Sequence, residues 1–451
     1  MERTKKHDRA RQSRYASKSD AGIANPRARQ RALCVAALPP VRHAGEGIDE
    51  LAELKELLRT AGVAVAGELV QRRPHPDPNA YLGAGKLTEL KHAAQAVDAN
   101  LIACDDELLP RQERNLEREV GLPVIDRTAV ILDIFADHAD SAEGKLQVEL
   151  AQLEYNLARM AGLWTHLERL GGGIGTRGPG ETQIETDRRL ARDRIAALKR
   201  RLRRTGETRR LARRQREASD QPRVALAGYT NAGKSTLMNA LTDAEASVGE
   251  QLFHTLDPKT RAFRYEGRTY LLTDTVGFIR KLPHQLVESF KATLEETINA
   301  DLILHVVDAA VPEPEREAMI AAVQEVLGEI GAEPVPMILV LNKIDLLPAQ
   351  DRELLARRPL CSSRDAVLLS AATGEGVDDL RCRIERAFRS RLEPVELLVP
   401  FEQGGILSEL HEVAGDLERE DTMEGVLVRA RVPATVAERM RPYECNGRRG
   451  A

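Results

Sequence analysis

The octapeptide Gly228-Tyr229-Thr230-Asn231-Ala232-Gly233-Lys234-Ser235 matches G-x-x-x-x-G-K-S and constrains the fold more than any other stretch of this sequence. The apolar run Val224-Ala225-Leu226-Ala227 precedes it and the helical pattern Thr236-Leu237-Met238-Asn239-Ala240-Leu241 follows it. It therefore reads as the loop between a buried strand and a helix, the setting in which this motif holds phosphate. Gly228 and Gly233 let the backbone curl without a Cβ clash, so the amides of Tyr229, Thr230, Asn231 and Ala232 can point at a β-phosphate beside a helix N-terminus. Lys234 is expected to reach the β/γ oxygens and the Ser235 hydroxyl to ligate Mg²⁺, with Thr236 in the same first turn.

The segments downstream complete a guanine-nucleotide switch. Thr269–Asp274 reads as a strand ending in Asp274-Thr275-Val276-Gly277, a D-x-x-G pattern in which Asp274 holds Mg²⁺ through its shell and the Gly277 amide senses a γ-phosphate. Upstream, Phe253-His254-Thr255-Leu256-Asp257-Pro258 lies where the first switch must cross the metal, and Thr255 is the expected second hydroxyl ligand, with Thr260 as the alternative. Asn342-Lys343-Ile344-Asp345 follows the strand Met337–Leu341 and selects the base. The Asp345 carboxylate can accept from both N1–H and the 2-amino group of guanine, whereas adenine offers neither donor there. Each such bond is worth about 1.5–3 kcal/mol, so ATP is disfavoured by orders of magnitude. Ser370-Ala371-Ala372 is expected to close the base pocket with backbone N–H groups. Lys234, Thr255, Gly277 and Asn231 are the expected catalytic set. Phe278 occupies the position where many GTPases carry a water-orienting glutamine, which predicts slow intrinsic hydrolysis and a rate supplied by a partner or an extra cation. Asn231 offers an amide oxygen for K⁺ against the β/γ bridge.

At 451 residues the chain has material for two to four domains. Its five cysteines lie far apart without C-x-x-C spacing, which fits a reducing compartment and argues against structural zinc or a disulfide framework. No apolar run approaches about 18 residues, and the basic N-terminus lacks an apolar core, so neither a membrane span nor a signal peptide is expected. The net charge of −4 conceals segregation: residues 1–30 carry nine Lys/Arg against three carboxylates, and residues 188–216 carry fourteen against two. Separated signs of this size suit a polyanionic partner, although an arginine-rich helix can also be a solvated face.

The expected class is α/β, divided into a basic tail (1–30), a small α/β domain (31–138), a helical hairpin with a glycine-rich tip (139–221), a phosphate-loop domain (222–391) and a small α+β appendage (392–451). In the α/β domain, strands are expected at Ala32–Leu38, Val63–Val70, Leu101–Cys104 and Pro123–Ile125, and Tyr81-Leu82-Gly83-Ala84-Gly85-Lys86 reads either as a second phosphate contact or as a glycine-rich helix start. Leu146, Leu150, Leu153 and Leu157 form one helical stripe and Leu190, Leu198 and Leu202 another. Between them, Gly171-Gly172-Gly173-Ile174-Gly175-Thr176-Arg177-Gly178-Pro179-Gly180-Glu181-Thr182-Gln183 can be neither helix nor strand, and suits a loop that moulds to a partner or a flexible connector. Arg188, Arg189, Arg192, Arg200, Arg201, Arg203 and Arg204 would line the arm leading to that tip, where contact with a phosphate backbone is the expected use.

Together, the G-T-R-G-P-G-E-T signature at 175–182, the phosphate loop, Leu252-Phe253-His254-Thr255-Leu256-Asp257-Pro258 and Asp274-Thr275-Val276-Gly277-Phe278-Ile279 resemble the HflX family of bacterial translational GTPases over roughly residues 32–440. The resemblance implies a cytoplasmic, monomeric protein that binds the large ribosomal subunit and its RNA, with Gly173, Thr176, Arg177, Gly178, Arg188 and Arg189 as ribosome contacts. It implies lodging of the tip near the peptidyl transferase centre and, in the GTP state, splitting or rescue of stalled ribosomes under stress. The residues alone reach a GTPase with an RNA-facing arm. They leave open a GTPase assisting RNA modification or subunit assembly, and an interaction module in which hydrolysis does not matter.

Overall fold

The computed structural model describes residues 30–40, 50–160, 179–217, 221–242, 253, 258–281, 291–357, 366–389 and 392–445. The basic tail, the tip residues Gly173, Thr176, Arg177 and Gly178, and the switch residues His254 and Thr255 lie outside the described residues. The chain forms two compact units, one of residues 1–202 with 281–289, the other of residues 203–280 with 290–451.

In the first unit, β1 (Arg31–Leu38), α1 (Ala52–Thr60), β2 (Ala64–Arg72), α2 (Ala84–Ala96), β3 (Leu101–Cys104), α3 (Pro110–Val120), β4 (Val124–Asp126) and α4 (Arg127–His138) alternate regularly. The four strands form one parallel sheet in the order β2-β1-β3-β4. Their sequences explain the arrangement. Ala32–Ala36 and Leu101–Cys104 are continuous apolar runs buried on both faces, as strands covered by helices on two sides must be. Helix starts and stops are equally local: Pro110 fixes φ at the first turn of α3, Gly121 ends it at φ 78°, and the Asp126 carboxylate caps α4 by accepting from the Ala129 amide at 2.9 Å.

Two long helices follow, α5 (Ala142–Met160) and α6 (Pro179–Glu217). Leu150, Ile195 and Leu198 form their common core, with Leu146, Leu153, Leu157 and Leu202 packed against it. Leu190, expected in that stripe, is instead 59% exposed. It precedes Ile195 by five residues, which at about 100° per residue turns it some 140° away from the buried face. The candidate second phosphate contact is a helix start: the Gly83 amide donates to Gln71 Oε1 at 2.9 Å, and Lys86 pairs with Glu89 at 2.8 Å.

The second unit contains a six-stranded sheet in the order β10-β9-β8-β5-β7-β6, from β5 (Arg223–Gly228), β6 (Lys259–Tyr265), β7 (Arg268–Asp274), β8 (Leu302–Asp308), β9 (Met337–Asn342) and β10 (Ala366–Leu368). All neighbours are parallel except the edge pair β6–β7. Helices α7 (Lys234–Thr242), α8 (Lys291–Ile298), α9 (Glu313–Glu329), α10 (Ala349–Ala356) and α11 (Val377–Arg389) connect or follow these strands. Beyond them, β11 (Glu393–Val399), α12 (Gly404–Val413), β12 (Gly415–Asp421), β13 (Val426–Val432) and α13 (Ala434–Met440) build an antiparallel sheet, order β11-β13-β12, over its own apolar core.

Candidate functional site

Strands β5, β7, β9 and β10 end on the same side of their sheet, and the four nucleotide motifs begin where they end. The phosphate loop leaves β5 at Gly228, where a Cβ would lie 2.2 Å from the Val306 carbonyl oxygen. Gly233, at φ +90°, would bring a Cβ to 2.3 Å from Asn342 Nδ2. Both glycines are thus required by neighbouring groups as well as by the turn.

Lys234 is buried, and its ammonium donates to the carbonyls of Gly228 at 3.1 Å and Tyr229 at 2.9 Å. Burial lowers its pKa to about 8, against the opposing pull of Asp274. Ser235 Oγ lies 2.7 Å from Asp274 Oδ2, so a hydroxyl from the first turn of α7 meets a carboxylate from the end of β7. Adjacent oxygens around octahedral Mg²⁺ are about 2.9 Å apart, and hard oxygen donors suit that ion, so this pair fits the metal. Asn231, the residue offered to K⁺, is exposed on the loop at φ 59°. Thr236 is half-buried one position further into α7.

The D-x-x-G segment is stitched to the phosphate loop by its backbone. Phe278 N–H donates to Gly228 O at 3.1 Å, Thr230 N–H donates to Phe278 O at 2.8 Å, and the Arg280 amide donates to the Tyr229 hydroxyl at 2.7 Å. A Cβ on Gly277 would meet Thr230 Cγ2 at 2.8 Å and Lys234 Nζ at 3.0 Å, so only glycine brings this amide so close to the phosphate-binding lysine. Thr275 turns inward, its hydroxyl donating to Leu226 O at 2.6 Å, and Val276 is buried. Phe278 is 1% exposed. Its side chain belongs to the core, while its main chain is the strut between two motifs, a role its sequence position did not disclose. Phe253 is also buried. Thr260, the alternative hydroxyl, sits in β6 with Oγ1 3.0 Å from Thr273 Oγ1.

At the base-reading end, Asn342 is 2% exposed and joins two loops. Its Nδ2 donates to Ala232 O at 2.8 Å, and its Oδ1 accepts from Ala371 N–H at 2.9 Å. Lys343, at φ 66°, places its ammonium 2.7 Å from Asp308 Oδ2. Asp345 Oδ1 is buried and accepts no hydrogen bond among the described residues, which is the position a donor edge of a base would satisfy. The expectation for 370–372 needs correction. Ser370 N–H donates to Glu375 O at 2.8 Å and Ala371 N–H to Asn342 Oδ1 at 2.9 Å, so two of the three amides shape the loop. His305 in β8 escaped sequence reasoning. It is 1% exposed, neither ring nitrogen has a hydrogen-bond partner among the described residues, and burial, reinforced by the Lys234 charge, lowers its pKa to about 4.

Arg189, Arg192 and Arg200 are exposed on α6 and Arg188 is half-buried. Among the described residues no helix is long and apolar enough to cross a membrane.

Comparison with known proteins fits this geometry. Residues 48–136 match the family model described as "GTP-binding GTPase N-terminal", residues 138–216 the "GTP-binding GTPase Middle Region", and residues 223–343 a model described as "50S ribosome-binding GTPase". The chain is 46% identical to the GTPase HflX of Caldanaerobacter subterraneus, over 92% of this chain and 94% of that protein. It is 47% identical to that of Lacrimispora saccharolytica, over 85% and 89%, and 46% identical to that of Escherichia coli K12, over 81% and 85%. A solved structure, a GTP-binding protein from Sulfolobus solfataricus in complex with GDP, is 26% identical over 79% of this chain and 98% of that one, at a TM-score of 0.40.

Proposed function

Because the chain belongs to the HflX family of GTPases, we propose that its GTP-bound form docks on the large ribosomal subunit in the cytoplasm and splits or rescues stalled ribosomes under stress. The hydrolysis of GTP is the family's chemistry and this chain's. The ribosomal reading rests chiefly on the exposed guanidinium groups of Arg189, Arg192 and Arg200 along the 39-residue helix α6. Arginines spaced along a helix suit repeated phosphates of an RNA backbone, and this helix begins at Pro179, inside the glycine-rich stretch 171–183, whose last five residues are thus helical and not loop as expected. The model matching residues 223–343, with its ribosomal description, supports the same reading.

At the nucleotide, Lys234 would exchange the Gly228 and Tyr229 carbonyls for β/γ oxygens, the Gly277 amide would meet the γ-phosphate, and Asp345 would take the guanine edge. Ser235, Asp274 and Thr255 would hold Mg²⁺, which when bound neutralises charge across the β/γ oxygens. The buried Phe278 side chain cannot orient a water, so intrinsic turnover is slow and the ribosome accelerates it. Asn231 is the residue assigned to K⁺, an assignment that turnover in K⁺ against Na⁺ would decide.

GTP turnover should be measured with and without purified large subunits in K⁺ buffer, alongside a variant with Arg177 and its neighbours replaced by Gly-Ser. Stimulation that the variant loses supports the proposal. Absence of stimulation in the natural sequence refutes the ribosomal role and leaves the GTPase intact.

A further inference from the structure

Around the point where a Cβ on Gly277 would stand, the nearest atoms are the Thr230 methyl, Cγ2, at 2.8 Å, the Lys234 ammonium at 3.0 Å and Thr230 Cα at 3.0 Å. The Thr230 side chain therefore lies against the stretch of backbone whose amide is assigned to the γ-phosphate. Its hydroxyl shares a Cβ with that methyl, so it stands beside the same stretch. The backbone holds the residue there: Thr230 N–H donates to Phe278 O at 2.8 Å, and Phe278 N–H donates to Gly228 O at 3.1 Å.

Neighbouring hydroxyls of the site are bonded within the protein. Ser235 Oγ meets Asp274, Thr275 Oγ1 donates to Leu226 O, and the Thr260 and Thr273 hydroxyls meet each other. Thr230 Oγ1 differs from them. The residue is only 7% exposed, and its buried oxygen has no hydrogen-bond partner among the described residues. Burying a hydroxyl without a partner is destabilising, and a protein that keeps one there ordinarily satisfies it with a ligand or a water.

Phe278 indicates what that partner does. Many related switches orient the attacking water with a glutamine at this position, but here the side chain is a buried phenylalanine. The ground beside Gly277 is taken from the other strand of the pair, by Thr230. On the guanine-nucleotide reading of these motifs, we propose that Thr230 is a further catalytic residue, whose hydroxyl donates to a γ-phosphate oxygen and accepts from the attacking water. The water oxygen bonds to the γ-phosphorus as the bond between that phosphorus and the β–γ bridging oxygen breaks. Both water protons end on the inorganic phosphate, one on the attacking oxygen and one passed to a γ-oxygen, and the threonine finishes with its own proton. A hydroxyl has one donor hydrogen where an amide has two, so it holds the water less completely and unaided turnover stays slow.

Single-turnover hydrolysis of radiolabelled GTP by the full-length protein, in Mg²⁺ and K⁺, tests this beside titration with fluorescent GDP. Thr230→Val keeps the shape and removes the hydroxyl, whereas Thr230→Ser keeps the hydroxyl and removes the methyl. GDP lacks the γ-phosphate, so Thr230→Val should bind it within about threefold of the natural sequence. Its hydrolysis of GTP should be about tenfold to a hundredfold slower, the effect of losing one hydrogen bond to a charged group. Thr230→Ser should recover the rate to within about threefold. Should valine weaken GDP binding further, Thr230→Ala takes its place in the comparison with Thr230→Ser. The assignment is overturned if removal of the hydroxyl leaves hydrolysis within about threefold of the natural rate. It is equally overturned if Thr230→Ser slows hydrolysis as much as Thr230→Val, which would credit the methyl against Gly277. Failure of the natural sequence to bind fluorescent GDP would remove the nucleotide reading itself, a different result from losing only the role of Thr230.

Discussion

Asp345→Asn isolates what the base pocket contributes. The carboxylate presents a buried oxygen with no hydrogen bond among the described residues, so the two donors of a guanine edge would both fall on an otherwise unsatisfied acceptor. Replacing it with an amide keeps one acceptor for N1–H but turns an N–H₂ toward the 2-amino group. One charge-assisted bond is then lost, at about 1.5–3 kcal/mol, and the other loses its charge assistance, at about 1 kcal/mol more. A total of about 2.5–4 kcal/mol corresponds to roughly a seventyfold to a thousandfold weaker GDP binding, measurable by fluorescent-nucleotide titration or calorimetry. The same amide can donate to the 2-oxo group of xanthine, so XDP should bind the variant better than GDP does, reversing the natural preference. A variant that keeps GDP affinity within about threefold, or gains none for XDP, would show that Asp345 does not read the base.

Other consequences follow from the phosphate end. With Lys234 lowered to about 8 by burial, the free protein holds its ammonium below that pH, and phosphate oxygens raise the bound value. Nucleotide affinity should therefore be flat below about pH 8 and fall above it, by up to about tenfold per pH unit, and an affinity that rises between pH 8 and 9.5 would contradict this. Folding carries the opposite sign: a lysine whose pKa is depressed by burial disfavours the folded state below about pH 8, and that cost is relieved as pH rises toward the ordinary value. Ser235→Ala should abolish the Mg²⁺-dependent increment of GTP affinity while leaving Mg²⁺-free GDP binding nearly unchanged, as titrations with and without a chelator would show. Arg159→Met removes the cation from a wholly buried Asp126, which should destabilise the first unit by about 3–5 kcal/mol in urea unfolding followed by hydrogen exchange in that unit.

What could be read from the sequence was whatever depends on local backbone chemistry. Gly228, Gly233 and Gly277 sit where a Cβ would collide, and a pattern of glycines and apolar runs carries that requirement in the linear order. The parallel strands were legible for the same reason, since a strand buried on both faces is apolar throughout. Two polar edge strands were not. β6 (KTRAFRY) and β12 (GDLERED) are largely polar, and only their pairing with β7 and β13 identifies them as strands. Long-range polar contacts were likewise silent. The bond from Asn342 to Ala232 spans 110 positions and that from Lys281 to Asp106 spans 175, and neither has a local signature. The roles of Ser370 and Ala371 were misjudged for a related reason: which amide faces a ligand is decided by what the other amides already bond.

Asn342 has a consequence for engineering. One amide group props the phosphate-holding turn through Ala232 and the base-reading turn through Ala371, so neither turn has a shape of its own that can be carried elsewhere. Grafting an adenine-reading loop onto this scaffold would change base preference only if the graft supplied an equivalent crossbar at 342. Without it, the transplant would lose triphosphate binding before any new selectivity could be seen.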